Sequence, residues 1–137
     1  MDTYRNLTMK SIFGLKWVST YCSIAQYILK TDDDTYFNIE ALTELLIINN
    51  DTTILGSLNV NSSVQRQGLW QVDKTLFPNC IYPPYCSGCA YLIAQHLLPS
   101  MLAATEYIPL IPIEDVYITG ILAKVIGLLS LLVHGTQ

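Results

Sequence analysis

A chain of 137 residues with 51% apolar and 13% charged side chains has the material for one globular core and lacks the composition of a disordered chain. Seven Lys and Arg against eleven Asp and Glu leave a net charge of -4, which argues against the basic stripe that nucleic acid or an anionic membrane surface demands. The longest apolar stretch, Ile118 to Val133, carries Lys124 and falls short of the ~20 residues of a bilayer crossing, so it is read as a buried helix running into an apolar tail. Asp2, Tyr4, Arg5 and Asn6 behind Met1 do not make a secretory leader.

In chain order, apolar residues at Met9, Ile12, Phe13, Trp17 and Tyr21 recur as one face of a helix spanning about 6–21. Tyr27-Ile28-Leu29 is a short apolar run that ends in Lys30-Thr31-Asp32-Asp33-Asp34, the pattern of a buried strand with a polar cluster at its C-terminal end. Ile39 to Ile48 returns to a helical pattern, and Thr53 to Leu58 predicts another strand. From Asn59 to Tyr85 the chain is irregular, since Pro83-Pro84 excludes regular helix there. A further strand over 89–94 leads into a helical segment over 95–105. Glu114-Asp115, with Pro112 just ahead, opens a last helix to about Ile126. Helices interleaved with short strands predict an α/β layered fold in a single domain over 1–137.

Four cysteines include Cys86-Ser87-Gly88-Cys89, the spacing of a zinc or redox pair. Only His96 and His134 could add imidazole ligands, so structural or disulfide-bonded cysteines are the stronger reading. Sequons at Asn6, Asn50 and Asn61 lean toward a lumenal protein.

Three adjacent carboxylates at the end of a strand repel one another. A magnesium or manganese ion would offset that repulsion with oxygen ligands, at the end of the strand where α/β folds collect their ligands. The alternative is a solvated acidic turn that caps the following helix. Glu114-Asp115 carries a similar pair of readings: a catalytic carboxylate, or capping of the free amides at a helix start.

Four pieces occur in the order and approximate spacing of one family: Asp2 to Lys10, Leu29 to Asn38 with its Asp triplet, Tyr82-Pro83-Pro84-Tyr85-Cys86-Ser87-Gly88, and Glu114-Asp115-Val116-Tyr117. Over about 2–127 the chain resembles the β-1,3-galactosyltransferase family, glycosyltransferase family 31. The resemblance implies a partial GT-A fold, Rossmann-like, lacking its N-terminal part. It implies transfer of galactose or N-acetylglucosamine, with inversion, from a UDP-sugar to a glycan acceptor on glycoprotein or glycolipid, forming a β-1,3 linkage. Asp32 and Asp34 then frame the Asp-x-Asp motif for Mn2+ or Mg2+, Asp34 the closer to the metal and Asp32 the nearer to the nucleotide, with Asp33 completing the triplet that binds the nucleotide sugar. Asp115 becomes the base that takes the acceptor's proton, with Glu114 its neighbour. Tyr82, Tyr85, Ser87 and Gly88 line the donor and acceptor loop, with Trp70 a substrate wall. Aromatic rings there can stack on sugars, or the same residues serve a proline-stiffened core. His134 resembles the later histidine that can complete the family's metal site, and it is alternatively a histidine with no ligand role. A Golgi membrane enzyme with a lumenal catalytic domain is implied, its anchor, stem and first sheet strands expected in a full-length parent. The competing expectations are a non-catalytic fragment or pseudoenzyme that keeps a metal or sugar surface, and a small phosphatase-like metal domain built on the triplet.

Overall fold

The computed structural model describes residues 4–48, 54–128 and 132–133. After a 3-10 turn at Tyr4–Asn6 come helix α1 (Leu7–Tyr21), strand β1 (Tyr27–Thr31), helix α2 (Ile39–Ile48) and strand β2 (Ile54–Asn59). A long irregular segment then leads to strand β3 (Tyr85–Ala94), a 3-10 turn at Gln95–Leu97, helix α3 (Leu98–Ala104), a π-helix at Val116–Leu122, the short α4 (Ala123–Val125) and strand β4 (Leu132–Val133). The four strands lie in the order β1-β3-β2-β4. β3 runs antiparallel to both β1 and β2, and β4 joins β2 in parallel. The mixture of helix and sheet agrees with the α/β expectation.

Register decides which side chains share a face. Ile28 opposes Ile93 and Lys30 opposes Tyr91, so Lys30 stands with the apolar residues of the inner face. Against this face pack α1, α3 and the π-helix, around Ile54, Ile93, Leu98, Met101, Val116 and Ile118. Thr8 on α1 donates its hydroxyl to the Ile111 carbonyl at 2.8 Å, a buried bond between segments far apart in sequence.

Three expectations need correction. Of the α1 face read from Met9, Ile12, Phe13, Trp17 and Tyr21, only Ile12 is buried, together with Thr8 and Leu15; the other four are exposed. β1 is half-buried rather than buried, because α2 lies over the outer sheet face without burying any of its own residues. A space of about 420 Å³ separates them, lined by Leu29, Phe37, Leu42, Leu45, Leu55 and Leu92 among others. The last helix begins at Glu114 as expected but continues as a π-helix, a form that sequence periodicity does not distinguish from α. Among the described residues no helix is long and apolar enough to cross a membrane.

Candidate active site

Between Gly56 and Leu58 the β2–β3 register slips: Gly56 faces Tyr91, whereas Leu58 faces Cys86. Two steps on β2 thus answer five on β3, and the surplus of β3 around Ser87–Ala90 is free to bow away from β2. That segment meets both acidic motifs. The Asp32 amide donates to the Cys89 carbonyl at 3.1 Å, and the Gly88 amide donates to Asp115 Oδ2 at 2.9 Å. A side chain at position 88 would put Cβ 3.2 Å from Asp115 Oδ2, so glycine permits this close approach.

Lys30 ties the two motifs together. Its ammonium donates to Asp32 Oδ1 at 2.7 Å and to the Gly88 carbonyl at 2.5 Å, and lies 3.7 Å from Glu114 Oε2. It also sits over the Tyr91 ring, 5.7 Å from the centroid. Glu114 is 4% exposed and accepts hydrogen bonds from the Tyr91 hydroxyl and from Ser11. Burial raises the Glu114 pKa, against the opposing pull of Tyr91, Lys30 and Ser11. Tyr91 is itself pushed well above the usual tyrosine range, first by burial and then by the Glu114 charge.

Asp115 faces the other way. Its Oδ1 accepts from the Val116 amide at 2.9 Å, while Oδ2 holds Gly88. Burial nevertheless raises its pKa, with the amides of Val116, Gly88 and Asp115 itself and the charge of Lys30 working against that rise. The backbone beneath it is fixed by Thr119, whose hydroxyl donates to the Asp115 carbonyl at 2.7 Å and accepts from the Cys86 amide at 2.8 Å. Asp115 lines a cleft of about 260 Å³ together with Trp70, Tyr82, Tyr85, Ser63 and Gln65. Gly120 makes room for one wall, since a Cβ there would lie 3.0 Å from Tyr85 Cβ. One carboxylate among three aromatic residues and two small polar side chains is a surface suited to a hydroxylated ring.

A family model described as galactosyltransferase matches residues 1–130. The chain belongs to the galactosyltransferase family. It is 38% identical over 122 residues to beta-1,3-galactosyltransferase 5 of Pan troglodytes, covering 86% of this chain and 41% of that protein. The Mus musculus beta-1,3-galactosyltransferase 5 is 37% identical over 127 residues, with 90% and 41% covered. The UDP-GalNAc:beta-1,3-N-acetylgalactosaminyltransferase 1 of Sus scrofa is 32% identical over 122 residues, with 86% and 37% covered. The chain thus spans about two fifths of the length of these relatives.

In this galactosyltransferase-family chain the residues expected to act together are partly gathered. Asp115, Trp70, Tyr82 and Tyr85 share one cleft, and Gly88 binds Asp115. Glu114 neither caps the helix nor meets solvent: it turns inward to Lys30 and Tyr91, and Asp115 takes the capping amide as well as the cleft. Ser87 lies outside the cleft lining, its hydroxyl 3.7 Å from Cys89 Sγ. Asp33 and Asp34 are exposed on the turn after β1, closed by the Thr35 amide to the Asp32 carbonyl, and Asp32 is the one tied to Lys30. His134 lies outside the described residues. Cys22, Cys80, Cys86 and Cys89 are unbridged in this structure, with Cys86 buried and Cys89 exposed. Lys30, Tyr91, Ser63 and Gln65 were not singled out by sequence. For Lys30 a signal existed, because period-two alternation from Ile28 places it on the inner face.

Proposed function

We propose that this chain carries the catalytic centre of a GT-A hexosyltransferase that moves galactose or N-acetylglucosamine from a UDP-sugar to a glycan hydroxyl, inverting the anomeric carbon and forming a β-1,3 linkage. The observation that carries the reading is Asp115, a partly buried carboxylate that faces an aromatic cleft and is tied to the Asp triplet through Gly88 and Lys30. The acceptor oxygen attacks the anomeric carbon, the bond from that carbon to the diphosphate breaks, and the acceptor's proton passes to Asp115. A raised pKa suits the role, because a carboxylate that holds its proton more tightly is the stronger base. The relatives' names, a beta-1,3-galactosyltransferase and a UDP-GalNAc:beta-1,3 transferase, support the donor class and the linkage.

Among the described residues no group of three or more His, Cys, Asp or Glu is placed to hold a metal by itself. The exposed carboxylates of the triplet still fit Mn2+ or Mg2+, which are commonly held by one or two carboxylates with substrate phosphates supplying further oxygens. Asp34, exposed, and Asp32, shared with Lys30, would hold the ion. Bound there, it would offset the charge of the leaving diphosphate. The chain's own contribution is Lys30, which keeps Asp32 fixed relative to Gly88. Placement in the Golgi lumen behind a membrane anchor belongs to the same proposal. One observation favours the non-catalytic alternative: Asp32 already has a cationic partner in Lys30, 2.7 Å away.

In the full-length protein, Asp115→Asn keeps shape and removes the proton acceptor, so turnover should fall at least about a hundredfold with donor KM near normal. Glu114→Gln should cost turnover much less. The acid limb of the wild-type pH profile should lie above the ordinary Asp range, because the rate falls as pH drops through the raised Asp115 pKa. Retention of full activity in Asp115→Asn, or a loss confined to donor KM, would end the assignment.

A further inference from the structure

Among the described residues Asn61 is the one non-glycine with a positive φ, 55°. Asparagine tolerates this left-handed conformation better than most side chains, so the turn alone would account for it. The residues that follow give it a second meaning. Asn61-Ser62-Ser63 has the Asn-x-Ser form that accepts an N-linked glycan, and Asn61 and Ser63 are both exposed on an irregular loop. The sequon at Asn6 is placed differently: Leu7 begins α1, and Thr8, whose hydroxyl the acceptor triplet requires, is 2% exposed and donates to the Ile111 carbonyl. Asn50 lies outside the described residues. Of the two described sequons, Asn61-Ser62-Ser63 is thus the one that keeps both its amide and its hydroxyl residue in solvent, outside regular structure, in the folded chain. Its loop is tacked to the wall of the Asp115 cleft. The Tyr82 amide donates to the Ser62 carbonyl at 2.9 Å, the Val64 amide to the Cys80 carbonyl at 2.9 Å, and Ser63 pairs with Ile81 in an antiparallel bridge. Ser63 itself lines the cleft.

We infer that Asn61 carries an N-linked glycan rooted at the rim of the Asp115 cleft, where it narrows the approach of bulky acceptors. This rests on the proposed lumenal placement and on the cleft as the acceptor site. The co-reactant is a lipid-pyrophosphate oligosaccharide. The Asn61 carboxamide nitrogen bonds to its anomeric carbon, the bond from that carbon to the pyrophosphate breaks, and the amide proton leaves to the transferring enzyme's base. Two residues of chain reach at most ~7 Å, which bounds the distance from the Asn61 backbone to Ser63 at the cleft. Hydrogen bonds on either side of Ser63 hold that root in place, so the glycan does not drift away with a loose loop. Val60, next to Asn61, and Ile81, opposite Ser63, are both more than half exposed and offer apolar surface on which the first sugars can rest. The cleft holds about 260 Å³. A single sugar fits past a neighbouring glycan into such a space, whereas an acceptor borne on a protein competes with the glycan for the volume above it.

The full-length protein, made in animal cells, is treated with peptide-N-glycosidase in heavy-oxygen water, which turns each occupied asparagine into a labelled aspartate that peptide mass spectrometry locates. Asn61 should be labelled. Asn61→Gly is the informative variant, because glycine takes the same positive φ and every residue lining the cleft is kept. It should migrate faster than wild type by one glycan. Kinetics use UDP-galactose with methyl N-acetyl-β-glucosaminide, or UDP-N-acetylglucosamine with methyl β-galactoside, and in each case a glycoprotein ending in the same sugar. Asn61→Gly should leave kcat/KM for the methyl glycoside unchanged and raise that for the glycoprotein, shifting their ratio at least about threefold. An unlabelled Asn61 overturns the proposal, and so does a labelled Asn61 whose removal leaves the ratio unmoved. Should Asn61→Gly fail to fold, the same ratio is read on folded wild type before and after enzymatic removal of its glycans. The underlying readings fail separately. An active protein with no sequon labelled refutes the lumenal placement and this inference with it, whereas labelled Asn61 with a shifted ratio beside a fully active Asp115→Asn removes the base assignment alone.

Discussion

Glu114 and Asp115 are adjacent, yet their surroundings divide them. Glu114 is sealed among Tyr91, Ser11 and Lys30 on the inner sheet face, and Asp115 opens on the cleft. Burial raises both acids, and the consequence for stability has a definite sign. The folded state holds the Glu114 proton more tightly than the unfolded state does, so its contribution is fully present below the ordinary value of 4.5 and is lost as pH rises through the raised folded value. Lys30 and Asp115 also bear on this site, one lowering and the other raising the same pKa. Thermal melts of wild type and Glu114→Gln across that interval should therefore diverge, with the wild type gaining relative stability on acidification. A difference in melting temperature that stays constant with pH would show that Glu114 is not titrating in its buried site.

The limits of α1, α2 and β2 were legible in the sequence to within a residue, because their apolar periodicities are short, regular and bounded by polar residues, whereas β1 runs two residues beyond its apolar run, through Lys30 and Thr31. The buried face of α1 was legible only at Ile12. Met9, Phe13, Trp17 and Tyr21 recur at four-residue spacing and are large, so they dominate any pattern, whereas the true inner face includes a threonine. Thr8 is buried because the Ile111 carbonyl takes its hydroxyl, a pairing set by the fold and invisible locally. β3 begins at Tyr85 rather than near 89 for a similar reason: Asn59 and Leu58 pair with Tyr85 and Cys86, directly after two prolines that read as loop. As for the site, Asp115 and the cleft aromatics were reached through the family motifs, while Lys30 depended on a register that only the sheet reveals. The α1 correction is measurable by urea denaturation. Ile12→Ala, at 4% exposure, should cost about 2–5 kcal/mol, and Phe13→Ala, at 60% exposure, no more than about 0.5 kcal/mol. Equal costs would return Phe13 to the core.

At the scale of the whole molecule, apolar surface is unevenly shared between the two sides of the sheet. The inner side carries the core. On the opposite side α2 buries none of its residues and leaves Ile39, Ile47 and Ile48 exposed. On the inner side, the solvent face of α1 exposes Phe13, Trp17 and Tyr21, with the Trp17 and Tyr21 rings 5.5 Å apart, and Ile24 and Tyr36 are more than nine-tenths exposed. Scattered apolar residues are ordinary on a protein surface, but an aligned aromatic stripe and an open helix invite association. A net charge of -4 over 137 residues gives only modest repulsion to oppose it. Residues 1–137 produced alone should therefore self-associate at micromolar concentration and bind a hydrophobic dye. Replacing Phe13 and Trp17 together by Ser should reduce the association while leaving secondary structure intact, because neither side chain serves the core. Sedimentation velocity and circular dichroism on the two proteins provide the check. A monomer that melts sharply and binds no dye would mean that α2 and the aromatic stripe are covered in solution by a packing different from the one described.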